Sequence, residues 1–221
     1  FGYSRLYGSV PGAQAQYLRV PHADFGPIRV GEELPDHRYL FLSDVLPTAW
    51  QGVRYADVQP GQTLAVFGLG PIGQMCARIG AHQGARVFAV DPVPERREMA
   101  ARHGIEVFDL NSGTNDEIRD ATRGRGPDAV IDAVGMEAHG SPVAKAAHTA
   151  VGFLPDALGR TLMEHVGVDR LAALYAAIDL VRRGGTISLS GVYGGQASPL
   201  PMLTLFDKQI QVRMGQANVK A

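Results

Sequence analysis

The sequence predicts an α/β fold with a doubly wound parallel sheet of six strands. This prediction depends on a glycine-rich turn that follows a short apolar segment within residues 63–73, and on an acidic residue that ends the second apolar segment. It also depends on the alternation of strand-length apolar segments with helix-length segments along the chain. When each strand leads through a crossover helix to a parallel neighbour, six strands take the order 3-2-1-4-5-6.

The glycine-rich turn has glycines at positions 68, 70 and 73, which is the spacing G-x-G-x-x-G. Gly68 permits a tight turn, Gly70 lets a phosphate approach the backbone, and Gly73 lets the helix pack closely on the strand. Pro71 and Ile72 open the helix, whose free N–H groups and positive dipole end face the phosphates. The motif therefore predicts the dinucleotide-binding turn of a Rossmann fold.

Asp91 supplies the second part of the predicted site. It ends the apolar segment 86–90, about 20 positions after the glycines, where an acidic residue binds the adenosine ribose. A carboxylate at this position repels the 2′-phosphate of NADP, so the sequence predicts NAD as the cofactor. The alternative is a βαβ unit whose crevice binds nothing.

The remaining elements follow in order along the chain. A helix over residues 74–84 joins the first two strands, because apolar residues recur there at helical spacing. Further strands and helices alternate after Asp91, with prolines or polar residues at the helix starts and glycines after the helix ends. The predicted strands are 105–110, 129–133, 186–190 and 209–214, and the predicted helices are 94–103, 115–123, 170–183 and a short one within 199–206.

The carboxyl ends of the fourth and fifth strands complete the predicted crevice, because ligands of open α/β sheets bind beyond the strand carboxyl ends. This placement predicts that Val134, Ser190, Gly191 and Val192 border the cofactor, with main-chain groups near the nicotinamide. Asp132 lies at the end of the fourth strand. We interpret it as a polar strand-end residue in preference to a catalytic one.

Composition and charge exclude several classes of function. The chain has 221 residues, of which 45% are apolar and 19% charged, and this suits one soluble domain plus part of another. A net charge of −1 gives no basic surface for nucleic acid. No apolar segment approaches the roughly 20 residues of a membrane span. One cysteine and the lack of a secretory signal predict no internal disulfide and a cytoplasmic location.

The first 42 residues differ in composition from the rest, with frequent Gly and Pro. Apolar and polar residues nearly alternate at 14–20, which is typical of a half-buried strand. We therefore predict two domains, the end of an all-β domain over 1–42 and a nucleotide-binding domain over 43–221. Asp44 lies among apolar residues at their junction. A buried carboxylate needs donors, a cation or a metal, although Asp44 is also a suitable helix N-cap.

Four segments resemble the medium-chain, zinc-type alcohol dehydrogenases, which join a GroES-like catalytic β domain to a Rossmann domain. The segments are GAQAQYLRVP at 12–21, LSDVLPTAW at 42–50, VQPGQTLAVFGLGPIGQ at 58–74 and GGTISLSGVYGG at 184–195, and the resemblance extends over nearly the whole chain. LSDVLPT resembles in particular the glutathione-independent formaldehyde dehydrogenase branch. The resemblance implies zinc-dependent hydride transfer between a small alcohol or hydrated aldehyde and NAD.

The resemblance also implies roles for single residues. Asp44 is the third ligand of a catalytic zinc, at a position where many relatives have Cys, and Thr48 lies near the nicotinamide ring. A basic residue just after Asp91, which is Arg96 or Arg97, approaches the adenosine ribose. The other zinc ligands in this family are a Cys and a His that precede these positions. Because a catalytic zinc takes three protein ligands, we expect the chain to be a piece of a longer protein.

Residues 136–168 are longer than a usual strand-to-helix connection. A similar insertion in the formaldehyde dehydrogenase-like branch is associated with closure over the adenine side of the cofactor, and we expect that role here. Its histidines at 139, 148 and 165, with Glu164, match no compact zinc spacing.

The last predicted strand, 209–214, forms an edge of the sheet, and an exposed apolar edge favours pairing with another chain. Members of the resembled family pair at this edge, so we expect a homo-oligomer.

Two other functions are consistent with the predicted fold and glycine-rich turn. One is a zinc-free, NADPH-dependent reductase of the quinone-reductase type, which Asp44 and Asp91 argue against. The other is a module that binds NAD without catalysis.

Overall fold

The structure is a computed structural model that describes residues 9, 15–135, 171–193, 197 and 199–219. The chain divides into two compact units, Phe1–Leu40 and Phe41–Ala221. In the first unit, the described residues form turns and a short 3₁₀ helix, Asp36–Arg38, with no strand among them. The strand predicted over 14–20 is not formed at the described positions 15–20, because no described segment of this unit pairs with it.

The second unit is an α/β sandwich whose helices and strands alternate along the chain. A 3₁₀ helix, Leu40–Ser43, leads into it. Its described elements are α1 (Val45–Ala56), β1 (Thr63–Phe67), α2 (Pro71–His82), β2 (Arg86–Val90), α3 (Pro94–Ala101), β3 (Glu106–Phe108), α4 (Thr114–Ala121), β4 (Ala129–Asp132), α5 (Ala172–Leu180), β5 (Thr186–Leu189), α6 (Met202–Lys208) and β6 (Gln211–Met214).

The six strands form one parallel sheet in the order β3-β2-β1-β4-β5-β6. This confirms the predicted Rossmann topology. Strands β2 and β3 lie on one side of β1, and strands β4, β5 and β6 lie on the other. A crevice therefore opens beyond the carboxyl ends of β1 and β4, where the strand order reverses.

Side chains of β1 alternate between the two faces of the sheet, which explains why both faces are covered. Leu64 and Val66 pack in one apolar cluster with residues of α1, α2 and α3. Ala65 and Phe67 pack in a second cluster with residues of α4 and α5. The near-continuous apolar sequence of this strand is therefore the signature of a central parallel strand.

Several helices and strands are shorter in the structure than predicted from the sequence. The predicted helix 170–183 ends at Leu180, because Val181 turns into an extended conformation with φ −57° and ψ 139°. The strand predicted over 105–110 is reduced to Glu106–Phe108. The predicted insertion at 136–168, with its histidines, lies outside the described residues. Among the described helices, none has the length and apolar character needed to cross a membrane.

A buried carboxylate, Asp128, ties together the amino ends of the central strands. It accepts hydrogen bonds from the Thr63 N–H at 2.9 Å and the Thr63 hydroxyl at 2.7 Å. It also pairs with Arg182 at 2.7 Å and with Arg125 at 3.2 Å. Burial raises the pKa of Asp128, but the hydrogen bonds from Thr63 and Arg182 and the charge of Arg125 outweigh burial and hold the pKa below its usual value.

We expect this network to make folding acid-sensitive. Because the pKa of Asp128 is lower in the folded chain, its contribution is complete above the unfolded pKa of about 3.9 and is lost as the pH falls through the folded value. Replacing Asp128 by Asn should lower the free energy of unfolding by about 2 kcal/mol at pH 7. In urea unfolding, the difference in free energy of unfolding between wild type and variant should be smaller at pH 3 than at pH 7. A difference that stays constant would contradict the network.

Candidate dinucleotide-binding site

The turn between β1 and α2 has the backbone geometry that its glycines predict. Gly68 has φ +86°, in the left-handed region that favours glycine. At Gly73, a Cβ would lie 1.8 Å from the carbonyl oxygen of Gly68, so no side chain fits between helix and turn. At Gly70, a Cβ would meet no atom within 4 Å. The turn is therefore closed at Gly68 and Gly73 and open at Gly70.

The open side of the turn coincides with the start of α2. Gly70 is the N-cap and Pro71 the first helical residue, and no side chain caps this end of the helix. The first helical hydrogen bond runs from the Gln74 N–H to the Gly70 carbonyl at 2.9 Å. The N–H groups of Ile72 and Gly73 thus have no acceptor in the described part of the chain, and such groups at a helix start bind anions.

The Asp91 carboxylate points at the same turn. Its Oδ2 accepts the Leu69 N–H at 2.7 Å, and its Oδ1 accepts the Val93 N–H at 2.8 Å. Asp91 is only 2% exposed, so it also holds the turn in shape before any ligand binds. Each carboxylate oxygen keeps a second lone pair, which suits two neighbouring ribose hydroxyls. The residues of the turn and Asp91 therefore fit a dinucleotide.

Two arginines follow Asp91, and the structure separates their positions. Arg97 donates to the Asp91 carbonyl at 2.6 Å and pairs with Asp109 at 2.8 Å, and its side chain is largely buried. The Arg96 side chain is half-exposed, and its Nη1 lies 3.6 Å from Asp91 Oδ2. Arg97 is therefore committed to the protein itself, whereas Arg96 is able to turn toward a ligand beside Asp91.

Gln74 also belongs to this site, although its role was not predicted from the sequence. Its side-chain amide donates to the carbonyl of Arg96 at 2.7 Å and, more weakly, to that of Leu69 at 3.3 Å. Its Oε1 is buried without a hydrogen-bond partner among the described residues. Gln74 thus links the glycine turn to the start of α3. Its position next to the last glycine of the motif is the only sequence signal for this role.

The carboxyl end of β4 lies next to the glycine turn, and the carboxyl end of β5 lies beside that of β4. A Cβ on Gly68 would lie 2.8 Å from Val134 Cγ2, which places Val134 beside the turn. The N–H groups of Ser190 and Gly191 both donate to the Asp132 carbonyl, at 2.9 and 2.8 Å. These two N–H groups are therefore already engaged within the protein. The N–H of Val192, an exposed residue, has no acceptor among the described residues.

Asp44 differs from its predicted environment. It is exposed, so the expected buried carboxylate is wrong for this structure. It occupies the N-cap position of α1 without a side-chain capping bond, and the Thr48 hydroxyl donates to its Oδ1 at 3.1 Å. No three His, Cys, Asp or Glu side chains come together as a metal site in the residues that the structure describes. These residues alone do not fit a zinc ion.

Comparison with known proteins agrees with the fold and the turn. Residues 71–150 match the family model described as zinc-binding dehydrogenase. A zinc-type alcohol dehydrogenase-like protein of Bacillus subtilis is 36% identical over 99% of the chain and 56% of its own length. A glutathione-independent formaldehyde dehydrogenase of Pseudomonas aeruginosa is 32% identical over 86% of the chain and 50% of its own length.

Among solved structures, an alcohol dehydrogenase from Thermus sp. ATN1 superposes with a TM-score of 0.75 at 31% identity. The superposition covers 99% of this chain and 55% of that structure. The chain thus spans about half the length of the curated relatives it matches. The predicted resemblance to the medium-chain, zinc-type alcohol dehydrogenases is confirmed, and it extends over nearly the whole chain.

Proposed function

We propose that the chain is the cofactor-binding part of an NAD-linked dehydrogenase that acts on small alcohols or aldehydes. The observation that carries this proposal is the pairing of an open, uncapped helix start at Gly70 with a carboxylate that is fixed beside it. The printed names of relatives, which include alcohol and formaldehyde dehydrogenases, support the reaction class.

In this proposal the residues of the chain bind and orient the cofactor. The N–H groups of Ile72 and Gly73 bind the pyrophosphate, and Asp91 binds the adenosine ribose with Arg96 beside it. Val134 and residues 190–192 border the nicotinamide half. When bound, NAD would supply the hydride-accepting chemistry for oxidation of the substrate. The share of the protein is to place the ring and to exclude alternative orientations.

We propose Asp44 and Thr48 as the residues of this chain nearest the chemistry, with Asp44 as one ligand of a catalytic zinc. The resemblance of the segment 42–50 to zinc-type alcohol dehydrogenases supports this assignment, and the hydrogen bond between the two side chains places them together. The described residues do not form a set of three ligands, so Asp44 would hold zinc only together with further ligands. We also propose that residues 1–42 end a GroES-like catalytic domain and that residues 43–221 form the NAD-binding domain.

Calorimetric titration of the chain with NAD and with NADP tests the cofactor proposal. We expect saturable one-to-one binding of NAD, at least about tenfold tighter than NADP, because Asp91 repels a 2′-phosphate. Tighter binding of NADP would favour a reductase of the quinone-reductase type, and no binding of either would refute the proposal. We expect this chain to be inactive alone, so turnover is tested on the intact protein with zinc. Binding of NAD without turnover of any short alcohol or aldehyde by the intact protein would favour a non-catalytic module.

We further propose that the protein assembles with copies of itself through the edge of the sheet at 209–214. The described strand β6 is the last in the sheet, and three of its four residues are exposed. Apolar side chains of the preceding α6 are also exposed, among them Leu203 at 80% and Phe206 at 83%. Solution scattering should give the mass of an oligomer at micromolar concentration, and a monomeric mass would contradict this assembly.

A further inference from the structure

Asp132 is the most deeply buried acid near the crevice, and every hydrogen bond it accepts comes from a loop at the crevice edge. It is 0% exposed at the end of β4. Its Oδ1 accepts the N–H groups of Val134 at 2.9 Å and Gly135 at 3.2 Å. Its Oδ2 accepts the hydroxyl of Tyr193. One carboxylate therefore fastens the loop that follows β4 to the loop that follows β5.

The two loops also touch through their backbones. A Cβ on Gly191 would lie 2.2 Å from the Gly135 nitrogen, and a Cβ on Gly135 would lie 2.6 Å from the Val192 nitrogen. Gly135 has φ +64°, which a side chain rarely adopts. Such close backbone contact has little room to adjust. The position of the Val192 backbone is thus fixed by its two neighbours, through the backbone contact of Gly191 and the hydrogen bond of Tyr193.

Tyr193 is suited to remain a donor in this arrangement. Burial raises the pKa of Tyr193 above its usual range, and the negative charge of Asp132 raises it further. The hydroxyl therefore stays protonated under ordinary conditions and continues to donate to Asp132. Asp132 has no exposed surface, so it does not itself reach a substrate.

We propose that Asp132 and Tyr193 are positioning residues. They hold the Val192 backbone in the position at the crevice edge where the nicotinamide half of the cofactor binds. This inference rests on the proposed function. It differs from the interpretation of Asp132 as an ordinary polar strand end, because it assigns the pair an effect on one half of the cofactor only. The glycine turn and Asp91 bind the other half without their help.

The variant Tyr193→Phe removes only the hydroxyl, and titration with two ligands separates the halves of the site. NAD contains the nicotinamide, whereas ADP-ribose carries the adenosine and the pyrophosphate without it. We expect the Kd of NAD to rise about tenfold, which corresponds to about 1.4 kcal/mol, with the Kd of ADP-ribose unchanged within about twofold. Calorimetry on the whole chain measures both constants.

The matched control is Tyr175→Phe. The Tyr175 hydroxyl donates to the Pro199 carbonyl at 2.5 Å, so this variant loses one hydrogen bond to a main-chain oxygen at another place. It should leave both constants unchanged, and thermal unfolding checks that both variants fold. Equal weakening of NAD and ADP-ribose by Tyr193→Phe would show a general structural role and overturn the inference, as would no change in either. If the wild type binds neither ligand, the proposed function itself fails.

Discussion

Replacing Gly73 by Ala is expected to destabilise the nucleotide-binding unit by about 3 kcal/mol or more, and to abolish dinucleotide binding. The Cβ of the new residue would lie 1.8 Å from the Gly68 carbonyl oxygen and 2.8 Å from its carbon. Both are backbone atoms, so relief requires α2 to move away from the turn. Urea unfolding gives the loss of stability, and calorimetry with NAD gives the loss of binding.

The control for this prediction is Gly70→Ala, three residues earlier in the same turn. Its backbone, with φ −66° and ψ −175°, is open to any residue, and a Cβ there meets no atom within 4 Å. We expect its free energy of unfolding to stay within about 0.5 kcal/mol of wild type. The new methyl group fills the space of the phosphates, so the Kd of NAD should rise about tenfold or more. If both variants unfold alike, the assigned roles of these glycines are wrong.

Replacing Asp91 by Ala should weaken NAD binding about 10- to 100-fold and remove most of the preference for NAD over NADP. The reason is that the ribose loses charge-assisted hydrogen bonding worth about 1.5–3 kcal/mol in total. The variant should also be less stable, because the buried N–H of Leu69 and the partly buried N–H of Val93 lose their acceptors. Parallel titrations with NAD and NADP give the change in preference.

Asp109→Ala is the matched control for Asp91. Asp109 pairs with Arg97 at 2.8 Å on the same side of the unit, but its side chain is 57% exposed. Because solvent reaches the Asp109 side of this ion pair, we expect the pair to contribute little, and both stability and NAD binding should remain close to wild type. An Asp91 variant that keeps the preference for NAD would show that cofactor choice depends on other residues.

The sequence was most informative where chemistry depends on short-range spacing. Glycines at 68, 70 and 73 specify a turn whose geometry is local, so their conformational roles could be predicted before any packing was known. The order of the sheet could also be predicted, because successive parallel strands and crossover helices leave few alternatives. The predicted apolar segment 86–90 coincides with β2, because the apolar residues of a central parallel strand are contiguous in the sequence.

The sequence was least informative where partners lie far apart along the chain. Asp128 and Arg182 are 54 positions apart, and Asp132 and Tyr193 are 61 apart, so no local pattern joins them. The environment of Asp44 was also mispredicted. Its apolar neighbours in sequence suggested burial, yet exposure depends on what packs against the start of α1 in three dimensions.

The most direct test of the account is the amide spectrum of the isotopically labelled chain during titration with NAD. We predict that the largest saturating shifts occur at Gly70, Ile72 and Gly73, the open start of α2. Gly61, in the turn that precedes the amino end of β1, should remain unchanged. Saturation of the protein with NAD while the Gly70–Gly73 amides stay in place, or no shift at any amide, would contradict the claim that this turn binds the cofactor.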